Sequence, residues 1–224
     1  MTYLVLIIAV IIGALSVLII KPKKTIIQIL LTFSGAYLLS ITILHLLPEV
    51  YENHSNKIGF YILFGILIQS ILENLTKGLE HGHVHQHNHL QKVPWLLLIG
   101  LNLHSFFEGI PLGHDDEHTL LWAIVIHKIP IAIVLTSFLI QSKLKKTIVI
   151  AIIVLFASMS PLGFLFCKEI PFFTANLTEI TAIIIGIFLH ISTIILFETS
   201  ENHSYNFKKL IAIILGFVIA WLSL

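Results

Sequence analysis

The feature that most constrains this chain is the recurrence, from one end to the other, of apolar stretches about 20 residues long, the length at which an α-helix crosses the hydrocarbon core of a bilayer. The predicted spans are Leu4 to Ile20, Ile26 to Leu47, Ile58 to Leu75, Val93 to Leu112, Leu120 to Ile140, Thr147 to Phe166, Ile180 to Phe197 and Phe207 to Leu224. Short polar segments separate them. With 57% hydrophobic residues, 11% charged residues and a mean hydropathy of +0.97, the balance lies far from that of a soluble domain. The expected fold is therefore an all-α polytopic membrane protein of eight transmembrane helices, forming a single domain over residues 1–224 and partnered by the lipid bilayer. Nothing in this balance suggests a nucleic-acid partner. The first span has its positive cluster after the apolar run, not before it, so it is expected to be a retained helix rather than a cleaved signal.

Every cationic side chain is lysine, and the lysines alternate in density from loop to loop. One set of loops holds Lys21, Lys23, Lys24, Lys77, Lys92, Lys143, Lys145, Lys146, Lys208 and Lys209. The other holds only Lys57 and Lys168. The positive-inside rule then puts both termini outside the cytoplasm and the segment 76–92 inside. Bacterial cytoplasmic (inner) membrane is the expected location. Cys167 is the only cysteine, which excludes an internal disulfide and any multi-thiolate metal site within one chain.

Ionisable groups at membrane depth are costly and usually face a cavity or a partner. In the fourth span, His104-Ser105-Phe106-Phe107-Glu108-Gly109 sets an imidazole and a carboxylate four residues apart, on one helical face. The fifth span contributes His127-Lys128-Ile129-Pro130. Pro111 and Pro130 each follow a metal-capable residue by three positions and remove a backbone donor, so Phe107 and Ile126 are expected to present poorly satisfied carbonyls beside the site. Two imidazoles and a carboxylate suit Zn²⁺ and other divalent ions, with Fe²⁺, Mn²⁺ and Cd²⁺ as alternatives. Three protein ligands leave room for water, as a carrier of the ion requires.

These two segments resemble the fourth- and fifth-helix signatures of the ZIP (Zrt-, Irt-like protein) family of metal transporters, the second in the branch with His-Lys. The resemblance implies eight helices in a 3+2+3 arrangement, both termini outside, and a His-rich cytoplasmic loop between the third and fourth helices. It also implies transport of Zn²⁺ or a related ion into the cytoplasm between the fourth and fifth helices, and it is compatible with a homodimer. Family members with a two-metal centre place Asn after the first His and acids in the fifth-helix motif, where this chain has Ser105, Lys128 and Ile131. The expected site is thus mononuclear, formed by His104, Glu108 and His127, with the Lys128 ammonium in place of a second cation or paired with Glu108.

An internal echo supports inverted repeats around a central helix pair. Glu49-Val50-Tyr51-Glu52-Asn53-His54-Ser55 and Glu198-Thr199-Ser200-Glu201-Asn202-His203-Ser204 share the frame Glu-x-x-Glu-Asn-His-Ser at opposite membrane faces. Glu49, Glu52 and His54, with His45, are expected along the entrance route. Glu198, Glu201 and His203, with His190, are expected along the exit. In the cytoplasmic loop, His81, His83, His85, His87 and His89 alternate with other residues as in a flexible metal-binding tract. The principal alternative is a membrane-embedded zinc hydrolase. It would need a general base and substrate-binding groups near the metal, and no His-Glu-x-x-His signature is present, so the chain is not expected to be an enzyme.

Overall fold

The computed structural model describes residues 2–52, 57–76, 95–113, 118–142, 144–197 and 207–224, and the long elements among them are all helical. They are α1 (Thr2–Ile19), α2 (Lys24–Glu52), α3 (Ile58–Thr76), α4 (Trp95–Gly109), α5 (His118–Gln141), α6 (Lys146–Glu169), α7 (Leu177–Phe197) and α8 (Phe207–Leu222). The first seven are long and apolar enough to cross a membrane, α4 being counted with its 3₁₀ extension Pro111–Gly113. The 16 residues of α8 rise roughly 24 Å against a hydrocarbon core of about 30 Å. Length and composition therefore mark seven candidate spans among the described residues, and the eighth is an apolar helix shorter than the core.

Two departures from the predicted spans have local causes. The second helix continues to Glu52, past the expected end at Leu47, by widening into a π-turn at Thr42–Leu46 in which the Leu47 N–H reaches the Thr42 carbonyl. Pro48 would otherwise press its ring on the Leu44 carbonyl, and the wider turn relieves that clash without ending the helix. The link between α6 and α7 also holds a short helix, Pro171–Ala175, with Pro171 in its first turn, where a missing N–H costs nothing.

In a bilayer, helices are held together by close packing of small residues more than by the hydrophobic effect. Gly65 of α3 and Gly186 of α7 sit at a crossing so tight that a Cβ on either would collide with the facing backbone, at Ile183 and Ile62 respectively. Gly109 and Gly163 do the same between α4 and α6, Gly13 between α1 and α5, and Gly216 between α8 and α2. The resulting pairs are α3 on α7, α8 on α2, α1 on α5 and α6 on α4. Exchanging α1, α2 and α3 with α6, α7 and α8, and α4 with α5, converts each of these pairs into another. That is the packing a 3+2+3 arrangement of related halves would produce.

Exposure separates the lipid-facing helices from the central one. Phe60, Leu63, Phe64, Leu67 and Ile71 of α3, and Ile214, Leu215, Val218 and Ile219 of α8, are exposed. Such faces would be untenable in water and match acyl chains. In α5, by contrast, buried residues occur all around the helix from Leu120 to Leu139, His127 and Lys128 among them. An ionisable pair lodged there must be satisfied by neighbouring helices.

Candidate metal centre

The i, i+4 spacing on α4 brings His104 Nε2 to 2.9 Å from Glu108 Oε1. His127, arriving from α5, places its Nε2 3.8 Å from the same oxygen. The two imidazole rings stand nearly perpendicular, at 87°, with centroids 6.1 Å apart. One ligand atom from each of the three residues falls within 4.8 Å of the others, and all three side chains are buried. Ligands about 2.0–2.2 Å from a tetrahedral ion lie roughly 3.3 Å from one another, so the observed separations bracket what such an ion needs. Glu108 Oε1 has the His104 imidazole 2.9 Å away, whereas His127 Nε2 makes no hydrogen bond among the described residues. Buried acceptors in that state are costly unless something binds them, and a divalent cation would.

Glu108 divides its oxygens. While Oε1 faces the imidazoles, Oε2 accepts a hydrogen bond from Lys128 Nζ at 2.8 Å. The same ammonium donates to Ser105 Oγ at 2.9 Å and lies 5.0 Å from the centroid of the Phe156 ring. This is the Glu108 pairing foreseen for Lys128, and with both partners buried it neutralises a carboxylate that would be prohibitive alone.

Ser34 of α2 supplies a contact that sequence reasoning missed. Its Oγ lies 3.4 Å from His127 Nδ1 and donates to the Leu31 carbonyl at 3.0 Å. With its own hydrogen so directed, the oxygen accepts from the imidazole. On this pairing the ring proton is assigned to Nδ1, the tautomer that leaves the Nε2 lone pair facing Glu108. Ser160 and Phe156 of α6 were missed as well. The signal available for the serines was their polarity inside apolar spans; nothing marked Phe156.

The expected carbonyl beside the site is corrected at Phe107. Because α4 ends before Pro111 and tightens into a 3₁₀ turn, the Phe107 carbonyl accepts the Ile110 N–H at 3.3 Å. Pro130 lies within a continuous α5.

The described residues of the expected routes are not among the three that converge there. His190 of α7 meets Glu73 of α3, Nε2 to Oε2 at 2.7 Å, in a half-buried interhelical pair. His45 sits half-buried in the π-turn of α2, with Glu49 and Glu52 exposed on its last turns. His54, Glu198, Glu201 and His203 lie outside the described residues, as do His81, His83, His85, His87 and His89 of the histidine tract.

A bundle of apolar helices around a buried His-Glu-His group defines an integral membrane protein with three side chains that could hold a metal ion. Comparison with known families places it further: the ZIP zinc transporter family model matches residues 1–94 and 80–223, and the chain belongs to that family. Among curated proteins it is similar to zinc transporter ZIP1 of Danio rerio, at 36% identity over 88 residues, covering 38% of this chain and 29% of that protein. It is also similar to protein zntD of Dictyostelium discoideum, at 28% identity over 177 residues, covering 68% of this chain and 26% of that protein. The chain thus spans less than a third of the length of either relative that it matches.

Proposed function

We propose that this chain carries Zn²⁺ across the bacterial cytoplasmic membrane into the cytoplasm through a mononuclear site formed by His104, Glu108 and His127. The observation that carries the reading is the convergence of three ligand atoms within 4.8 Å, from two helices, in the interior of a membrane bundle. Membership of a family described as zinc transporters supports the choice of ion. Three protein ligands leave a coordination position for water, which keeps the ion exchangeable as transport requires. Lys128, bound to Glu108, supplies the positive charge that a second ion would otherwise bring. His45, Glu49, Glu52 and His54 collect the ion at the outer face, while His190, Glu198, Glu201 and His203 receive it at the inner face, with both termini outside.

The deciding experiment is metal uptake into proteoliposomes by the wild type and by His104→Ala, Glu108→Ala and His127→Ala. Zn²⁺ entry by the wild type and its loss in each variant is the expected result. Transport at the wild-type rate in all three would remove the centre from the pathway, and hydrolytic turnover of lipid or peptide without uptake would favour the hydrolase reading.

A further inference from the structure

The Lys128 ammonium is held on one oxygen of Glu108 by a set of contacts that reaches into α6. Ser160 Oγ donates to the Ser105 carbonyl at 2.6 Å. With its hydrogen spent there, Ser160 Oγ accepts toward Ser105 Oγ, 3.1 Å away. Ser105 Oγ in turn accepts from Lys128 Nζ at 2.9 Å. The hydroxyls thus form one directed chain, Lys128 to Ser105 to Ser160 and back to the Ser105 backbone, with the Phe156 carbonyl, 3.5 Å from Ser105 Oγ, as a second acceptor for the Ser105 hydrogen. Of the three ammonium hydrogens, one goes to Glu108 Oε2 and one to Ser105; the remaining side meets the face of Phe156, 5.0 Å from its centroid, within cation–π range. Ser105, Ser160, Lys128 and Glu108 are all buried, as is Phe156.

We infer that Ser160 and Phe156 are positioning residues that hold Lys128 on Glu108 Oε2, so that the carboxylate offers an entering ion only Oε1, and that this one-oxygen presentation sets the metal preference of the centre. The inference rests on the reading of His104, Glu108 and His127 as the ion's ligands. Zn²⁺ accepts four-coordinate sites with a single carboxylate oxygen. Mn²⁺ prefers six ligands, largely oxygen, and gains most from a carboxylate that can turn both oxygens to it. A Lys128 head group fixed by α6 blocks that turn. Loosening the ammonium releases Oε2 and shifts the preference toward the larger ion.

The test uses the purified chain in detergent micelles, with Zn²⁺ and Mn²⁺ affinities measured by competition against a chromophoric chelator and Co²⁺ used as a spectroscopic probe. In Ser160→Ala the Zn²⁺-to-Mn²⁺ affinity ratio is expected to fall about tenfold, on the order of one neutral hydrogen bond. The intense visible bands of low-coordinate cobalt should weaken in parallel, and Ser160→Thr, which keeps the hydroxyl, should restore both. Phe156→Leu removes the ring face without touching the hydroxyl chain, should move both readouts in the same direction, and decides the matter should Ser160→Ala fail to fold. A wild-type ratio and cobalt spectrum in every folded variant would overturn the inference while leaving the ligand reading intact. Undiminished Zn²⁺ binding in His104→Ala would instead overturn the ligand reading and the inference with it.

Discussion

Removing the Glu108 carboxylate should affect stability and transport separately, and a double substitution should part the two effects. In Glu108→Ala the Lys128 ammonium loses the acceptor 2.8 Å away and stays buried with only Ser105 and a ring face for company. Removing one partner of a buried ion pair costs about 3–5 kcal/mol, chiefly because the other charge is left uncompensated, whereas replacing both by apolar groups of similar volume is often neutral. Lys128→Met alone leaves the carboxylate stranded between two imidazoles and should cost a similar amount, less whatever His104 returns from 2.9 Å away. Glu108→Leu combined with Lys128→Met should recover most of the loss, so that in the cycle closed by the Glu108→Leu and Lys128→Met single variants the coupling energy reaches or exceeds about 3 kcal/mol, the top of the usual range for contacting residues. The assay is reversible unfolding of the purified protein in mixed micelles with increasing denaturing detergent, alongside Zn²⁺ uptake into proteoliposomes. The double variant should be stable yet inactive. Additive single effects, with no recovery in the double variant, would refute the claim that this pair neutralises itself.

Other consequences follow from the same contacts. Ser34→Ala should weaken Zn²⁺ binding by roughly 10–100-fold, the usual effect of losing a group that orients a histidine ligand, and titration to wild-type affinity would contradict the assigned ring tautomer. Gly65→Val should destabilise the bundle by about 1–3 kcal/mol, as overpacking does, because the new Cβ meets the Ile183 backbone; a detergent unfolding midpoint equal to the wild type would show that α3 and α7 do not cross there. In a Cys167→Ser background, Lys57→Cys should react with an impermeant maleimide added to intact cells and Lys24→Cys should react only after permeabilisation, the reverse result inverting the proposed orientation.

What could be read without coordinates was whatever depends on neighbours along the chain. Apolar run length marks the membrane helices, since 1.5 Å per residue is a property of any α-helix, and the seven spans lie where the runs predicted them to within a few residues. The His104–Glu108 contact was legible for the same reason, because four residues make one turn. Even the lengthening of α2 to Glu52 has a local cause in Pro48, although the run alone suggested an earlier end.

Tertiary structure decided everything that joins distant segments. Whether His127 faces α4, whether Lys128 meets Glu108 or stands apart, and which α6 groups reach Ser105 depend on the rotation of each helix about its own axis. That rotation is set where glycines such as Gly109 and Gly163 let backbones touch. Ser34 lies 93 residues from His127, and Ser160 lies 55 from Ser105. No periodicity within one helix encodes such separations, because they are fixed by how several helices pack at once. The chain's sequence by itself determined that it lives in a bilayer and carries metal-capable side chains there; only the packing of the bundle turned them toward a common point.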